Sequence, residues 1–507
     1  MSAEAGAYQT GVATAALSTK EKVLLGVIAY FVMLRLAYSF FALPIGDEAY
    51  YWMWGRHLAL SYYDHPPLQG WLQGLSYTLF GRSLFALRWM TVAAFAVNLY
   101  VFHLIARRVA GAAWRPFFLT GVTVYLASPL YGFFTSLVLH DYLLVTLVLT
   151  SGYFFICYFT DVETAGQGRT RDLFAGAVLL GLATLTKYNG AFLGLAVAGT
   201  ILIRPKLRPL LLDWRIYAAA LVSVAIQTPV IVWNLQEGFA SFLFQLGSRH
   251  GGTGFQRLNI GGMKLFTGEA LLMVSPFLVP VIIKFFWAWQ RNSFERVGKT
   301  VAIWAFWIST LVCLYVANFS WVIWWWNIVA FVLIFPFAGR YVTGPLLTLH
   351  IAWGVIINSV LAFTYVVVPV QALMGQMPGM ESERSYGWEQ LTEAITAARD
   401  EYGAEFLVTN RFETASVLAF ALDDPDVVSL TPKREGYDDW VDWQGLVGKD
   451  AVVLVETRTD METWKQSFGS VRDLGPLTAT RFGYPINNYH LWLGEDFQLL
   501  DAEEASP

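Results

Sequence analysis

The sequence contains 507 residues, of which 56% are hydrophobic and only 14% are charged. A soluble domain is about a quarter charged, so the composition predicts a polytopic membrane protein and excludes an ordinary soluble enzyme. The net charge of −4 gives no indication of a nucleic-acid partner.

The N-terminal residues 1–19 are rich in small and hydroxyl residues and lack the basic and apolar regions of a signal peptide. We interpret them as a disordered cytoplasmic tail. The two cysteines, Cys157 and Cys313, fall in separate hydrophobic segments. We interpret them as buried thiols rather than a disulfide or a metal-binding pair.

Residues 20–370 contain repeated apolar segments, each about 20 residues long, which is the length that crosses a bilayer. We place spans near residues 23–43, 84–106, 116–139, 140–160, 216–233, 265–289, 301–319, 322–337 and 346–370. The longer segment 173–203 is interpreted as two short spans joined at residues 187–190. The predicted total is about 11 spans, or about 13 with re-entrant pieces.

The basic residues of the short loops set the predicted orientation, because cytoplasmic loops are enriched in Lys and Arg. With a cytoplasmic N-terminus, the inner side carries Arg107, Arg108, Arg115, Arg169, Arg171, Arg204, Lys206, Arg208, Lys284, Arg291, Arg296, Lys299 and Arg340. The remaining ionisable groups, including those of the first loop at about residues 44–83, meet at the outer face. Charges at membrane depth are costly unless they are used, so we predict an active site there.

From about residue 371 to residue 507 the composition is that of a soluble protein. Predicted strands near residues 406–409, 427–430, 451–456 and 489–493 alternate with helices near 381–402 and 413–422. The predicted fold class is therefore a polytopic α-helical membrane protein with a small C-terminal extracytoplasmic α/β domain.

The first loop contains GDEAYYW at residues 46–52 and YYDHPPL at residues 62–68. Asp47 and Glu48 are adjacent and diverge on a helix, so we expect one to act and the other to support. Both could simply cap a helix N-terminus. A carboxylate at the bilayer rim could instead be a general base with a raised pKa. His65 could donate a hydrogen bond to an anion, or the prolines after it could only turn the chain.

Three later motifs face the same side. His140-Asp141 could cap a helix or supply a second acidic group. Lys187 could snorkel to the interface or contact a phosphate. The loop at about residues 234–264 contains Arg249 and Arg257 among glycines, which suits a lid over a phosphate or a contact with anionic lipid.

Together these motifs resemble the ArnT-like branch of the dolichyl-phosphate-mannose-protein mannosyltransferase superfamily, which has a GT-C fold. The first-loop motifs resemble its signature, and residues 140–144 (HDYLL) resemble its second acidic site. Residues 181–188 (GLATLTKY) resemble its lysine motif, and residues 233–242 resemble its later outer loop. The soluble tail, with Asn410-Arg411, resembles that of many bacterial members.

The resemblance implies a membrane-embedded inverting glycosyltransferase that moves one sugar from a polyprenyl-phosphate carrier to an acceptor on the extracytoplasmic side. It implies Asp47 as the general base, with Glu48 and Asp141 as further catalytic carboxylates. Lys187, with His65 and Arg249 or Arg257, would bind the donor phosphate. His65 stands where some members have lysine. The expected substrate-contacting residues are Tyr50, Tyr63, Asp64, His140, Tyr188 and Asn234.

We expect an inner-membrane location with a periplasmic active site and C-terminal domain, and no required cofactor. The expected acceptor is lipid A, lipopolysaccharide or another glycolipid, with a protein hydroxyl as an alternative. A transporter or flippase is a rival class, although it would be expected to show an inverted repeat. In a metal-dependent variant of the fold, Asp47 and Asp141 would be ligands of a divalent cation.

Overall fold

The computed structural model describes residues 16–247, 259–290, 292–377, 381–459 and 462–499. Most of the predicted N-terminal tail, and Arg249 and Arg257 of the glycine-rich loop, lie outside these ranges. The described residues are mostly helical, with a small sheet domain near the C-terminus, so the predicted fold class is confirmed.

The membrane part is built from apolar helices of very different lengths. They are α1 Thr19–Phe41, α2 Gly46–Arg56, α3 Leu68–Phe80, α4 Leu84–Ala110, α5 Trp114–Ala127, α6 Pro129–Gly132, α7 His140–Ala165, α8 Thr170–Thr186, α9 Ala191–Ile203, α10 Trp214–Ala225, α11 Thr228–Gln236, α12 Ala240–Leu246, α13 Ile260–Val274, α14 Val279–Trp287, α15 Ser293–Val316, α16 Val329–Val332, α17 Phe335–Ala338, α18 Gly344–Val366 and α19 Val370–Leu373.

The contacts of two arginines show the relative directions of α1, α4 and α5. Arg115, near the start of α5, pairs with Glu21 near the start of α1 at 2.6 Å. Arg88, near the start of α4, donates a 2.6 Å hydrogen bond to the Ala42 carbonyl just after α1 ends. Helix α4 therefore returns antiparallel to α1, and α5 runs parallel to α1. The apolar stretch Leu84–Ala127 crosses the membrane part twice.

Five apolar stretches of the described residues are long enough to cross a bilayer, or seven if each of two bent helix pairs counts as one span. Since Leu84–Ala127 crosses twice, these stretches of the described residues make six to eight crossings, fewer than the predicted 11 to 13. One reason is that residues 322–337 form short buried pieces, beginning with a 3-10 turn at Trp324–Asn327, instead of one long span. The predicted break at residues 187–190 is confirmed, since α8 ends at Thr186 and a 3-10 turn, Tyr188–Gly190, precedes α9.

Within the described residues, the C-terminal domain contains five strands, β1 Phe406–Thr409, β2 Val428–Ser429, β3 Ala451–Glu456, β4 Phe468–Arg481 and β5 Tyr484–Phe497. Their order in the sheet is β2-β1-β3-β5-β4. Strand β1 pairs in parallel with β2 and β3, and β5 pairs antiparallel with β3 and β4. Both β1 and β3 are buried along their whole length, as strands covered on both faces are.

The helices of this domain are α20 Trp388–Tyr402, α21 Phe412–Leu422, α22 Tyr437–Trp440 and α23 Trp443–Leu446. Helix α21 packs against α2 of the first loop. The ring of Tyr50 on α2 lies 4.7 Å from Phe412 and 6.3 Å from Tyr437, measured between ring centroids. The C-terminal domain is therefore seated directly on the loop that carries the Asp-Glu motif.

Candidate active site

Helix α2 presents Asp47 and Glu48 in its first turn, and the two side chains point to different surroundings. Glu48 is fully buried, whereas Asp47 is half-buried and lines a cavity. The divergence follows from helical geometry, in which adjacent residues lie about 100° apart. Of the two carboxylates, only Asp47 can meet a substrate in this arrangement.

Glu48 is enclosed by hydrogen-bond donors from three parts of the chain. It forms an ion pair with Arg88, whose Nε lies 3.0 Å from Glu48 Oε1. The Tyr38 hydroxyl donates to Glu48 Oε2 at 3.0 Å, and the Val138 amide donates to Oε1 at 2.9 Å. These bonds join α1, α2, α4 and the segment before α7, so Glu48 fixes the position of α2.

The cavity beside Asp47 has a volume of about 280 Å³. Its lining contains Asp47, Tyr50, Tyr51, Asp64, His65, Leu139, His140, Asp141, Lys187, Phe244, Ile323, Trp325, Trp326 and Phe412. The structure thus brings together the ionisable groups of the first loop, the start of α7 and the end of α8. These groups are distant in sequence and were selected for the candidate site from separate motifs.

Asp47 has an acidic neighbourhood. Burial and the negative charges of Glu381, Glu413 and Asp64 raise its pKa well above the usual range, and the Arg384 guanidinium offsets this in part. Burial also raises the pKa of Glu381, although Arg384 donates to Glu381 at 3.1 Å. A carboxylate with a raised pKa is a stronger base than an exposed one.

Asp141 and Lys187 form an ion pair that also lines the cavity. The Lys187 ammonium donates to both carboxylate oxygens of Asp141, at 2.9 Å and 3.1 Å. Asp141 lies in the first turn of α7, and Lys187 follows the last residue of α8. Both side chains are more than 90% buried from bulk solvent, yet both line the cavity. An incoming ligand could exchange contacts with either partner.

Tyr50 links the cavity to the C-terminal domain. Its hydroxyl donates to Asp64 at 2.6 Å and accepts a hydrogen bond from the Gly436 amide at 2.9 Å. Desolvation by burial and the charge of Asp64 raise the pKa of Tyr50 well above its usual value, so the phenol stays protonated. Tyr50 therefore holds Asp64 in place rather than supplying a proton.

The rings of His65 and His140 pack against each other in the lining of the cavity. The ring centroids of His65 and His140 are 4.3 Å apart, and His140 lies 4.3 Å from the Tyr51 ring. His140 packs edge to face with Tyr51 and Trp54 of α2, and His65 is tilted against Trp54. The nitrogens of both histidines give the cavity polar groups beside the Asp141–Lys187 pair.

The remaining predicted residues lie next to the cavity. Tyr188 lines a smaller adjoining cavity of about 90 Å³, which shares His65 and Lys187 with the first. Tyr63 packs on Phe244 with centroids 4.6 Å apart. Asn234 is buried and joins α11 to α12, because its Oδ1 accepts from the Phe242 amide at 3.1 Å. Asn234 therefore shapes the wall without lining it.

Several contributions to the site were missed from the sequence. Phe412 of the C-terminal domain lines the cavity, and the Glu413 side chain lies against Gly46, just before Asp47. A side chain at Gly46 would overlap Glu413, which explains the need for glycine there. Trp325 and Trp326 enter the wall from the 3-10 turn after α15. The clustered tryptophans at residues 324–326 were a signal, but their apolar character also fits a membrane span.

No group of three or more His, Cys, Asp or Glu side chains in the described ranges is placed to hold a metal ion. That no cofactor is needed stays a prediction. Chelation distinguishes it from the alternative, a divalent cation held by Asp47 and Asp141. Both carboxylates line the cavity, and Lys187 is already bonded to Asp141.

Comparison with solved structures gives a match over nearly the whole chain. The structure of ArnT from Cupriavidus metallidurans bound to undecaprenyl phosphate superposes with a TM-score of 0.61, covering 94% of this chain and 98% of that chain at 14% identity. Its apo structure matches equally well. The chain has the ArnT fold. Because the match covers 94% of this chain, it includes most of the membrane part and of the C-terminal domain.

Comparisons of the sequence with a family model and with curated proteins also find glycosyltransferases. The family model for dolichyl-phosphate-mannose-protein mannosyltransferase matches residues 64–233. The lipid A galacturonosyltransferase RgtD of Rhizobium johnstonii is 27% identical over 193 residues, 38% of each chain. The lipopolysaccharide core galacturonosyltransferase RgtB of the same organism is 27% identical over 212 residues, 40% of each chain. The matched part spans less than half of these curated relatives. The predicted resemblance to ArnT-like and mannosyltransferase-like GT-C enzymes is confirmed.

Proposed function

We propose that this chain is a multi-pass membrane glycosyltransferase that moves a single sugar from a polyprenyl-phosphate donor to a glycolipid acceptor, with inversion at the anomeric carbon. The observation that carries the proposal is the cavity that Asp47 and the Asp141–Lys187 pair line together. It offers both a base and a cation to a bound substrate. Transfer from a phosphate-linked sugar needs these two groups.

Asp47 is the proposed general base. Its raised pKa suits it to accept the proton of the acceptor hydroxyl. The hydroxyl oxygen attacks the anomeric carbon, and the bond from that carbon to the phosphate oxygen breaks as the new bond forms. The electron pair leaves on the phosphate. Glu48 does not meet the substrate in this scheme, and it positions Asp47 through α2.

Lys187 and His65 are the proposed contacts of the donor phosphate. Negative charge grows on the phosphate as the bond breaks, so a fixed cation stabilises the transition state. Lys187 has three N–H donors, and its bonds to Asp141 orient it toward the cavity. Asp141 then holds Lys187 and contacts the sugar. Arg249 and Arg257 stay predicted phosphate contacts, outside the described residues.

The names of the relatives suggest the substrates. ArnT was solved with undecaprenyl phosphate, which supports a polyprenyl-phosphate donor. RgtD and RgtB are named for galacturonosyl transfer to lipid A and to lipopolysaccharide core. We therefore propose a galacturonosyl donor as the first to test and lipid A or its core oligosaccharide as the acceptor. The proposed substrate contacts are Tyr50, Tyr63, Asp64, His140 and Tyr188, and Asn234 supports their wall.

We further propose that the protein lies in the inner membrane, with its N-terminus in the cytoplasm and its cavity and C-terminal domain in the periplasm. Lys187 follows the end of α8, whereas Arg169 and Arg171 flank the other end of the same helix. The excess of basic residues on the side away from the cavity supports this orientation.

A transfer assay with defined substrates tests the proposal. The purified full chain is incubated in detergent with a panel of polyprenyl-phosphate sugars and with lipid A, a core oligosaccharide lipid or a hydroxyl-rich peptide. Mass spectrometry of each acceptor reads out transfer. Transfer to a glycolipid supports the proposal, and transfer only to the peptide would assign a protein O-glycosyltransferase instead. No transfer from any donor would contradict it.

A further inference from the structure

A second cavity lies at the other end of the membrane part, beside the first half of α15. Its volume is about 720 Å³. Its polar lining includes Arg204, Lys206, Arg296 and Lys299, with Glu163 as the acidic member. From Lys299 to Cys313, which lines the small cavity next to Lys187, α15 rises about 21 Å at 1.5 Å per residue. The two sites therefore sit near opposite membrane faces.

The basic residues of this second cavity are only partly neutralised. Arg204 forms an ion pair with Glu163, including a 2.7 Å contact between Arg204 Nη2 and Glu163 Oε2. In the described part of the chain, Lys206, Arg296 and Lys299 form no ion pair within 4 Å. Lys299 donates to the Ala288 carbonyl at 2.6 Å, and Arg296 donates to the Ser293 hydroxyl at 3.2 Å. The cavity therefore has an excess of positive charge.

An apolar groove of about 610 Å³ continues from this basic cavity, and the two share Ile303. The groove follows one face of α15 through Phe306, Trp307 and Thr310. Counted from Ile303, these residues are three, four and seven positions further along, and Lys299 is four positions before it. Such spacings place all of them on one face of the helix. The basic cavity and the apolar groove thus form one continuous surface along α15.

The opposite wall of the groove is created by a bend. The segments Ile260–Val274 and Pro276–Trp287 meet at 85°. Pro276 lacks the amide that would continue the helix, and Ser275 adopts a positive φ of 104°. The bend turns α14 across α15 and leaves the groove between them. A groove with this volume and an apolar lining accommodates a hydrocarbon chain that lies along the protein.

We propose that this surface binds an anionic phospholipid of the membrane leaflet away from the active site. The phosphate headgroup would lie among Lys206, Arg296 and Lys299, and one acyl chain would follow the groove along α15. A basic pocket between membrane helices that opens into an apolar groove has the charge and shape of such a lipid. The inference does not depend on the proposed catalytic function.

Binding of defined lipids to the delipidated full chain tests this proposal. The probes are phosphatidylglycerol, phosphatidylcholine, and glycerol phosphate alone, and the readouts are native mass spectrometry and thermal shift in detergent. We expect phosphatidylglycerol to bind and to raise the Tm more than the other two. The variants Lys206→Gln and Lys299→Gln should each weaken binding about 5-fold, which corresponds to about 1 kcal/mol per cation.

Lys284→Gln is the matched control, because Lys284 is exposed at the end of α14 and does not line the cavity. It should bind phosphatidylglycerol as the wild type does. Equal binding of the lipid by Lys206→Gln, Lys299→Gln and the control would overturn the proposal. An equal thermal shift from glycerol phosphate alone would show a free-anion site and overturn the lipid assignment. Full displacement of phosphatidylglycerol by polyprenyl phosphate would assign the groove to the donor instead.

Discussion

Two buried ion pairs lie close to the candidate site, and their surroundings differ. Glu48 and Arg88 are both almost completely buried, and backbone and tyrosine groups satisfy the rest of the carboxylate. Asp141 and Lys187 are also buried from bulk solvent, yet both line the cavity. The same type of interaction therefore fixes the helices in one place and lines the cavity in the other. Burial alone does not tell a structural pair from a functional one.

Removing the cation of the enclosed pair should have the largest effect on stability. Arg88→Met leaves the Glu48 carboxylate buried without its main partner, which costs about 3–5 kcal/mol in typical cases. We expect a clear drop in Tm of the purified protein. Transfer per folded molecule should also fall, because Arg88 holds Glu48 and so helps to fix α2, but by less than on loss of a group that lines the cavity. An unchanged Tm would contradict the structural role of this pair.

Removing the cation of the cavity-facing pair should mainly affect the reaction. Lys187→Met is expected to lower kcat/KM for the donor about 100-fold, the usual cost of losing one group that stabilises developing charge. Its effect on Tm should be smaller than that of Arg88→Met, because a ligand cavity adjoins Asp141. Lys284→Met serves as the matched control. If Lys187→Met used the donor normally, Lys187 would not contact the phosphate.

The acidic residues of the C-terminal domain should tune the pH dependence. Asp47 must be deprotonated to act as a base, so the rate falls as pH drops through its raised pKa. Glu413→Gln removes a negative charge near Asp47 and thus lowers that pKa. The acid limb of the rate profile should move to lower pH, by up to about one unit. The exposed Glu393→Gln is the control, and an unmoved limb would show that Glu413 does not act on Asp47.

Chelation should have the smallest effect. With Lys187 as the cation beside Asp141, transfer should continue at an unchanged rate after treatment with EDTA. Loss of activity that returns with a divalent cation would instead support a metal at Asp47 and Asp141. The rate measured with and without added metal decides between the two.

The residues that line the cavity were easier to predict from the sequence than the contacts that fix the helices around it. Asp47, His65, Asp141 and Lys187 could be grouped because charged residues outside the basic loops are rare in an apolar chain. The partner of Glu48 could not be found in this way. Arg88 lies within a predicted span, and nothing local shows that its side chain reaches Glu48.

The contribution of the C-terminal domain was also beyond the sequence. Helix α21 was predicted at about residues 413–422, but its apolar pattern fits any buried helix. The contacts of Phe412 and Glu413 with the first loop join residues more than 360 positions apart. Strand β4 was missed because Gly475 and Pro476 interrupt it, and such residues usually mark strand ends. Long-range packing decided each of these features.

The most direct test of the central claim is transfer by Asp47→Asn. The variant is compared with wild type and with Asp426→Asn, which alters an exposed carboxyl of the C-terminal domain. The asparagine keeps the shape of the side chain and removes a carboxylate whose charged form is disfavoured by its surroundings, so Tm should not fall. Transfer from the polyprenyl-phosphate sugar should fall by about 10²–10⁴-fold in Asp47→Asn and stay normal in Asp426→Asn. Normal turnover by folded Asp47→Asn would contradict the account.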